Sequence, residues 1–517
     1  MARSREPTII HLDTETIRAK VGIDELYDKP TLTISACYAV PKASTSHGEA
    51  SNGTVDHDSK ESWVVGEKLE KEQGEAGFEG KWEVRWPFRP TESGQGEDWD
   101  GREYILKHIL TSLGITIASN SSPLILVPPP SASFPLSTQS LYSQLAFEKL
   151  NVPTFALLPP SLAAIFALGQ TTGVIIHIGR SRTIVNVIID SILREECSTT
   201  VPLGTQHCEE DFLDLLMGDA QLDKELRMVL GTPGPMVTPA EPTEEGEAQA
   251  SVVPKESWEE GEKEKYVREL AEFVWKECTL GEDLEIVNAT GAKSVIPGKE
   301  GEEDSSFDVA KKLVGEAAPA AAPSHKSKKQ LAALAQKAAT AAAQAQASAE
   351  AALAADVIVC KIPSIPDKTV DLGPVRHRIV ETLFKGRGGE SVWEAVGRAV
   401  EHPSVGWDVR QSVWDGVGVI GDIARIRSFA PALTTYLSPF LVSSAELSEV
   451  QPSKLRLLSI PDYFANYKGS TTDLAPFLGA TISAKTLLAD AGLSISKIQY
   501  NALGPAAIYT SKDEAKQ

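Results

Sequence analysis

The sequence predicts an α/β fold of two related halves facing a cleft, interrupted by long low-complexity insertions. Three observations point there: apolar strands alternate with helical stretches, one strand–turn–strand pattern occurs twice, and several segments lack the large apolar residues of a core.

The alternation begins at the N-terminal end. Thr8 to Leu12 and Lys20 to Ile23 read as two strands around a tight turn, and Leu32 to Val40 continues as a strand with apolar residues at alternate places. Tyr104 to Leu113 and Leu141 to Leu150 read as helices flanking a buried strand, Leu124 to Val127. Gly173 to Ile178 and Thr183 to Ile189 form a second pair of strands around a turn. Tyr266 to Cys278 is an amphipathic helix, Val417 to Ile420 a strand and Phe429 to Leu437 a helix.

The repeat is short. Ile9-Ile10-His11-Leu12-Asp13 and Ile175-Ile176-His177-Ile178-Gly179 are both apolar strands entering a polar turn, each followed by a second apolar strand. Two such hairpins facing one another can hold a ligand between two half-domains.

The insertions are Ser44 to Lys81, Gly231 to Lys265 and Gly298 to Ala355. The first two are rich in Gly, Pro, Ser and charged residues, cannot offset the entropy of ordering, and are expected to be flexible loops. The third ends in an Ala/Gln tract of high helix propensity with no wide apolar stripe, read as an exposed helix or a disordered arm. Its Ser324-His325-Lys326-Ser327-Lys328-Lys329 cluster fits a nuclear-localisation patch, although a solvated linker is the commoner meaning of so short a run.

Composition narrows the function. With 517 residues there is room for two to four domains. Against 50 basic residues stand 71 acidic ones, a net charge of −21, which repels nucleic-acid phosphate and favours basic partners; no direct DNA binding is expected. Cys37, Cys197, Cys208, Cys278 and Cys360 are widely spaced and form no CxxC pair, so neither zinc nor disulfides are expected. The first residues have no apolar core for a secretory signal and no run is long enough to span a bilayer, which leaves a soluble protein of cytoplasm or nucleus.

Six segments, in order and reaching both ends of the chain, then resemble the actin family. Gln144-Leu-Ala-Phe147-Glu148-Lys-Leu-Asn151-Val-Pro153 is similar to the hinge run of actins. Thr171-Thr172-Gly173-Val174-Ile175-Ile176 resembles the strand entering their second phosphate loop. Trp86-Pro87 with Trp99-Asp100 and His108, the stretch Arg376 to Phe384, Phe477-Leu478-Gly479-Ala480-Thr481-Ile482, and Tyr500 to Gly504-Pro505 resemble further actin elements. The resemblance implies an actin-like fold, with ribonuclease H-like duplicated halves around a central cleft. The halves would span residues 1–170 and 171–517, the C-terminus returning to the first.

The same resemblance locates a nucleotide cleft and its losses. The first phosphate loop of actins needs glycines, because backbone N–H groups must approach phosphate closely. Here Asp13 and Lys20 are kept, but Glu15 and Ile17 stand at the two glycine places. A β-branched residue is unfavourable at a strained turn. A carboxylate ~4 Å from a phosphate charge repels it by about 4 kcal/mol at an effective dielectric near 20. In the second loop His177, Ile178, Gly179, Arg180 and Ser181 replace a run whose two aspartates organise Mg²⁺. Gln144 stands where actins position the attacking water, or serves only as a hydrogen-bonding hinge residue. Gly421 is the one glycine left in the adenosine loop, and Glu272 either aligns with a ribose-contacting acid or is simply on the solvated face of its helix. Lys20, Arg180 and Arg182 could hold another anion. The expectation is therefore a degenerate site with no catalytic residue, no metal and no cofactor; ATP bound without hydrolysis is the lesser alternative.

Within the family, Ile460 to Lys468 and Leu158 to Ala164 are most similar to the fungal actin-related protein 9 group, subunits of SWI/SNF- and RSC-type chromatin remodellers. That implies a nuclear protein forming a heterodimer with a second actin-related protein on the helicase/SANT-associated helix of the remodeller ATPase, with a small accessory subunit alongside. Phe477, Leu478, Ile482 and Leu487 are the expected groove for that helix, plain core packing being the other reading for most of them. The alternatives are a cytoplasmic pointed-end adaptor of dynactin and an ATP-binding protein of the actin superfamily.

Overall fold

The computed structural model describes residues 6–23, 27–42, 60–75, 77–90, 96–233, 252–255, 257–259, 261–279, 358–426, 429–441, 454–468, 472–490 and 492–509. The chain divides into two compact units, Met1–His207 with Thr382–Gln517, and Cys208–Glu381.

The first unit holds two main sheets. One has six strands in the order Ile495–Ser496, Thr154–Leu157, Leu124–Val127, Thr8–Leu12, Thr16–Val21 and Leu32–Ser35. Thr8–Leu12 and Leu124–Val127 are buried along their whole length, as predominantly apolar runs predict for neighbouring parallel strands in the middle of a sheet. The other sheet has four strands in the order Ile192–Val201, Thr183–Ile189, Gly173–Ile178 and Val417–Ile420. Each sheet thus contains one of the two hairpins, and each hairpin's first strand has a parallel neighbour on its other edge.

Helices cover these sheets. Trp99–Ser112 starts at Asp98, whose carboxylate accepts the Gly101 N–H at 2.8 Å, and buries Ile105, Leu106, Ile109 and Leu110 in the core of the six-stranded sheet. Pro160–Ala167, with proline in its first turn, packs closely on Ala475–Ala489. A Cβ at Gly479 would lie 1.7 Å from the Ala163 carbonyl oxygen, so only glycine lets these two backbones meet.

Three departures from the sequence reading have physical causes. Leu32 to Val40 is two strands, Leu32–Ser35 and Tyr38–Pro41, belonging to different sheets. The hinge helix is α-helical over Leu136–Gln144 and then widens into a π turn, Leu145–Lys149, closed by Leu150 N–H to Leu145 C=O at 3.1 Å. Residues 60–81, expected as part of a loop, carry the strand Val64–Val65 and helices Glu67–Gln73 and Phe78–Lys81. Trp63, Val65 and Leu69 are buried there, and Trp63 stacks on Tyr38 at 4.7 Å. A few apolar anchors outweigh a polar average. Residues 43–59, 234–251 and the whole of 298–355 with its lysine cluster lie outside the described residues.

The second unit is smaller. The hairpin Ile358–Ile362/Ile365–Leu372 packs on helices Ala220–Val229 and Glu262–Thr279 through Leu222, Leu226, Val267, Leu270, Val274, Val370 and Leu372. Asp223 gathers Arg227 at 2.7 Å, Lys263 at 2.8 Å and the Trp258 indole N–H at 3.0 Å, which together hold its carboxyl at about 2 against the cost of burial. Glu272 is exposed on the outer face of its helix. No helix of the described residues is long and apolar enough to cross a membrane.

Candidate functional site

The two hairpins close alike. Asp13 N–H donates to the Thr16 carbonyl at 3.0 Å, and Gly179 N–H to the Arg182 carbonyl at 3.0 Å. Leu12 pairs with Ile17 in the first hairpin and Ile178 with Thr183 in the second, so His11 and His177 hold equivalent places. Both are buried, at 0% and 4% exposure.

Ile17 is therefore a strand residue, not a strained turn residue. It lies in Thr16–Val21, buried between Leu12 and Ile34, and no residue from Asp13 to Ile17 has a positive φ. The turn has been rebuilt rather than distorted. Glu15 also differs from its expected role as a naked anion. Arg89 donates to both of its carboxylate oxygens, at 2.8 and 2.5 Å, while lying 3.7 Å over the Trp86 ring. The charge that would repel a phosphate is compensated, and what remains at the glycine place is the bulk of an ion pair.

Polar side chains meet across the turns. His177 Nε2 is 3.6 Å from Asp13 Oδ1. Burial by itself would raise the Asp13 carboxyl, but His177, His11 and Arg18 outweigh burial and hold it well below the ordinary carboxylate range. Asp13 also accepts the Thr14 N–H at 2.7 Å. Burial first, then Arg18, push the His11 imidazole down to about 3, so it is neutral at physiological pH; neither ring nitrogen has a hydrogen-bond partner. Lys20, 4% exposed, lies 3.5 Å from Asp28.

A second set of charges joins segments distant in sequence. Asp473 Oδ2 accepts from Arg18 Nη2 at 3.1 Å and from Arg425 Nη2 at 3.1 Å. Arg18 belongs to the first hairpin, Arg425 to the turn after Gly421, and Asp473 to the turn before Ala475–Ala489. Burial raises the neighbouring Asp422 carboxyl, despite Arg425. Gly421 has φ +113°, and a Cβ there would lie 2.2 Å from the Ile178 carbonyl oxygen. Backbone approach between the two loops alone requires this glycine.

The remaining sites predicted from sequence are placed as follows. Gln144 donates to Glu148 at 3.1 Å, and Glu148 accepts the Tyr500 hydroxyl at 2.7 Å, so Gln144 joins the network at the hinge. It does not line the cavity beside the turns. Phe477 and Leu478 are fully buried, Leu487 is 8% exposed, and Ile482 packs at the edge of a core cluster. These are core residues packed under Pro160–Ala167, so the expected groove for a partner helix does not lie on them. Among the described residues no group of three or more His, Cys, Asp or Glu is placed to hold a metal ion.

Arg18, Arg89, Arg425 and Asp473 were not found by sequence reasoning. Arg18 alone left a signal, a charge in the middle of an apolar strand; the partners of the others come from turns far along the chain.

A cavity of about 370 Å³ opens beside the turns, lined by Thr14, Glu15, Arg89, Gly179, Arg180 and Arg182 among others. Its size is that of a small-molecule pocket.

Comparison with known proteins agrees with this architecture. The family model described as Actin matches residues 9–394. The "SWI/SNF and RSC complexes subunit arp9" of Schizosaccharomyces pombe is 24% identical over 457 residues, 82% of this chain and 79% of that protein. "Actin-like protein 9" of Bos taurus is 24% identical over 130 residues, 25% of this chain and 30% of its own length. "Actin-related protein 7" of Saccharomyces cerevisiae is 29% identical over 118 residues, 23% of this chain and 24% of its own.

Proposed function

Because the chain belongs to the actin family, we propose that it is a non-catalytic actin-related subunit of a nuclear ATP-dependent chromatin-remodelling complex. The single observation that carries the non-catalytic reading is that the chain's own polar and charged side chains pair with one another at the turns aligned with the nucleotide loops. Asp13 faces His177 at 3.6 Å, and Asp473 ties Arg18 to Arg425. Magnesium needs oxygen ligands, and His177 and Arg180 stand where the resemblance places aspartates. Likeness to a SWI/SNF and RSC subunit over 82% of the chain supports the assembly.

In this reading it works by binding. Its partners are a second actin-related protein, as a heterodimer, and the helicase/SANT-associated helix of the remodeller ATPase. The net charge of −21 suits a basic amphipathic helix. With Phe477 and its neighbours in the core, the apolar contacts fall to exposed side chains: Leu136 and Leu141 on the hinge helix, and Ile498 and Leu503 on Lys497–Leu503.

Purification of the tagged chain under native conditions tests the assembly. Remodeller ATPase peptides in the eluate support it; dynactin or dynein peptides would overturn it. With Mg-ATP, the purified protein releases no phosphate above background. A turnover stimulated by the partner and abolished by Gln144→Ala would sink the non-catalytic reading.

A further inference from the structure

We infer that the cavity beside the two hairpin turns is a binding site for an organic carboxylate with an apolar body, its charge held by Arg182. The inference stands independently of the remodelling role. Its ligand would lie on the side of the turns lined by residues 129–135, away from Lys20 and Gly421, which do not line this cavity.

Charge accounting carries it. Of the four guanidinium groups lining the cavity, Arg89 is spent on Glu15, Arg102 on Glu97 at 2.8 Å and the Pro87 carbonyl at 2.9 Å, and Arg180 is engaged elsewhere as well. Arg182 makes no ion pair or side-chain hydrogen bond with any described residue, although it is half-buried; its backbone carbonyl alone is used, closing the turn. Burial lowers its pKa below the ordinary guanidinium value, a sign of desolvation without compensation. A desolvated cation lacking an internal partner favours an anion from outside.

The walls choose the kind of anion. Phe88, Pro129, Pro130, Phe134 and Tyr142 supply apolar surface, and Ser131, Ser181 and Thr14 supply hydroxyl groups. Phe134 and Tyr142 stack with ring centroids 6.1 Å apart, so this wall is preformed. One arginine without a partner, set beside aromatic and proline side chains in an otherwise polar cavity, matches a single negative charge on an apolar frame better than a polyphosphate, which needs several cations. The carboxylate could belong to a free acid or to an acidic side chain of a bound peptide.

The test uses the full-length protein, with binding followed by titration calorimetry or ligand-observed NMR. Benzoate probes a free acid, acetyl-Leu-Glu-Leu-amide a side-chain carboxylate, and benzamide and pyrophosphate serve as the neutral and polyanionic comparisons. Benzoate or the peptide is expected to bind at least tenfold tighter than benzamide and than pyrophosphate. Arg182→Gln is expected to remove that preference and Arg182→Lys to restore part of it. Thr138→Phe, which narrows the cavity without touching the arginine, should weaken binding as well. Failure of both carboxylates to bind, an equal affinity in Arg182→Gln, or tighter binding of pyrophosphate would each overturn the inference.

Discussion

Asp473 and Arg18 are 455 positions apart in the chain, yet their carboxylate and guanidinium meet at 3.1 Å with almost no exposure to solvent. Arg425 completes the set at the same distance from the same oxygen. One carboxylate thus ties the first hairpin, the turn after Gly421 and the turn before Ala475–Ala489 together.

Asp473→Asn is therefore expected to be strongly destabilising. It leaves Arg18 buried and uncompensated, at about 3–5 kcal/mol for breaking a buried pair from one side. Arg425 is one-third exposed, so Arg425→Gln should cost about 1 kcal/mol or less. Urea unfolding of the two variants checks the ordering, and equal losses would show that the carboxylate is not the centre of the set.

Acid sensitivity should trace to His11. Its folded pKa is about 3 and its ordinary value 6.5, so between these the unfolded chain binds a proton that the folded chain refuses. Stability then rises with pH by roughly 1.4 kcal/mol per unit in that window and is unaffected by this group above it. Arg18, Asp13 and His177 are the charged groups acting on it, and the depressed Asp13 carboxyl adds a loss of the same sign only at lower pH, below its ordinary 3.8. His11→Leu should flatten the slope measured by denaturant unfolding between pH 4.5 and 6.5.

Restoring glycines to the first turn should not restore nucleotide binding. In a Glu15→Gly, Ile17→Gly double variant, His177 and Arg180 still occupy the second turn, and Ile17 is lost from a buried strand position. Equilibrium dialysis with Mg-ATP is expected to show no gain, and micromolar binding by this variant would contradict that.

Phe477→Ala should act on stability rather than on partner contact. The ring is fully buried among Ile9, Ile125 and Ala163, and truncating such a phenylalanine costs about 3–5 kcal/mol. A lowered melting temperature is the expected readout; unchanged stability with weakened partner binding would return Phe477 to a groove.

Gly421→Ala should cost about 3 kcal/mol, since the new methyl group must move the Ile178 carbonyl as well as accept φ +113°. Thermal unfolding without any added ligand is the relevant measurement, because the requirement is backbone contact.

The sequence by itself determined the elements with strong local signals. Thr8–Leu12, Leu124–Val127, Gly173–Ile178, Thr183–Ile189 and Val417–Ile420 are predominantly apolar runs bounded by polar turns, and each is a buried strand. The repeated hairpin was legible for the same reason. That Glu15, Ile17, His177 and Arg180 stand at places the resemblance aligns with glycines and aspartates was legible too, because it is a matter of residue identity. Only the tertiary structure decided what those residues do instead. Whether Glu15 is a bare anion depends on Arg89, 74 positions away, and whether Arg18 is tolerable in a buried strand depends on Asp473. Phe477 looked the same as a groove residue or a core residue, since a helix that is apolar nearly all round does not say which neighbour covers it until Pro160–Ala167 is laid across it. Strand and turn come from neighbours in the chain; charge compensation and burial come from neighbours in space.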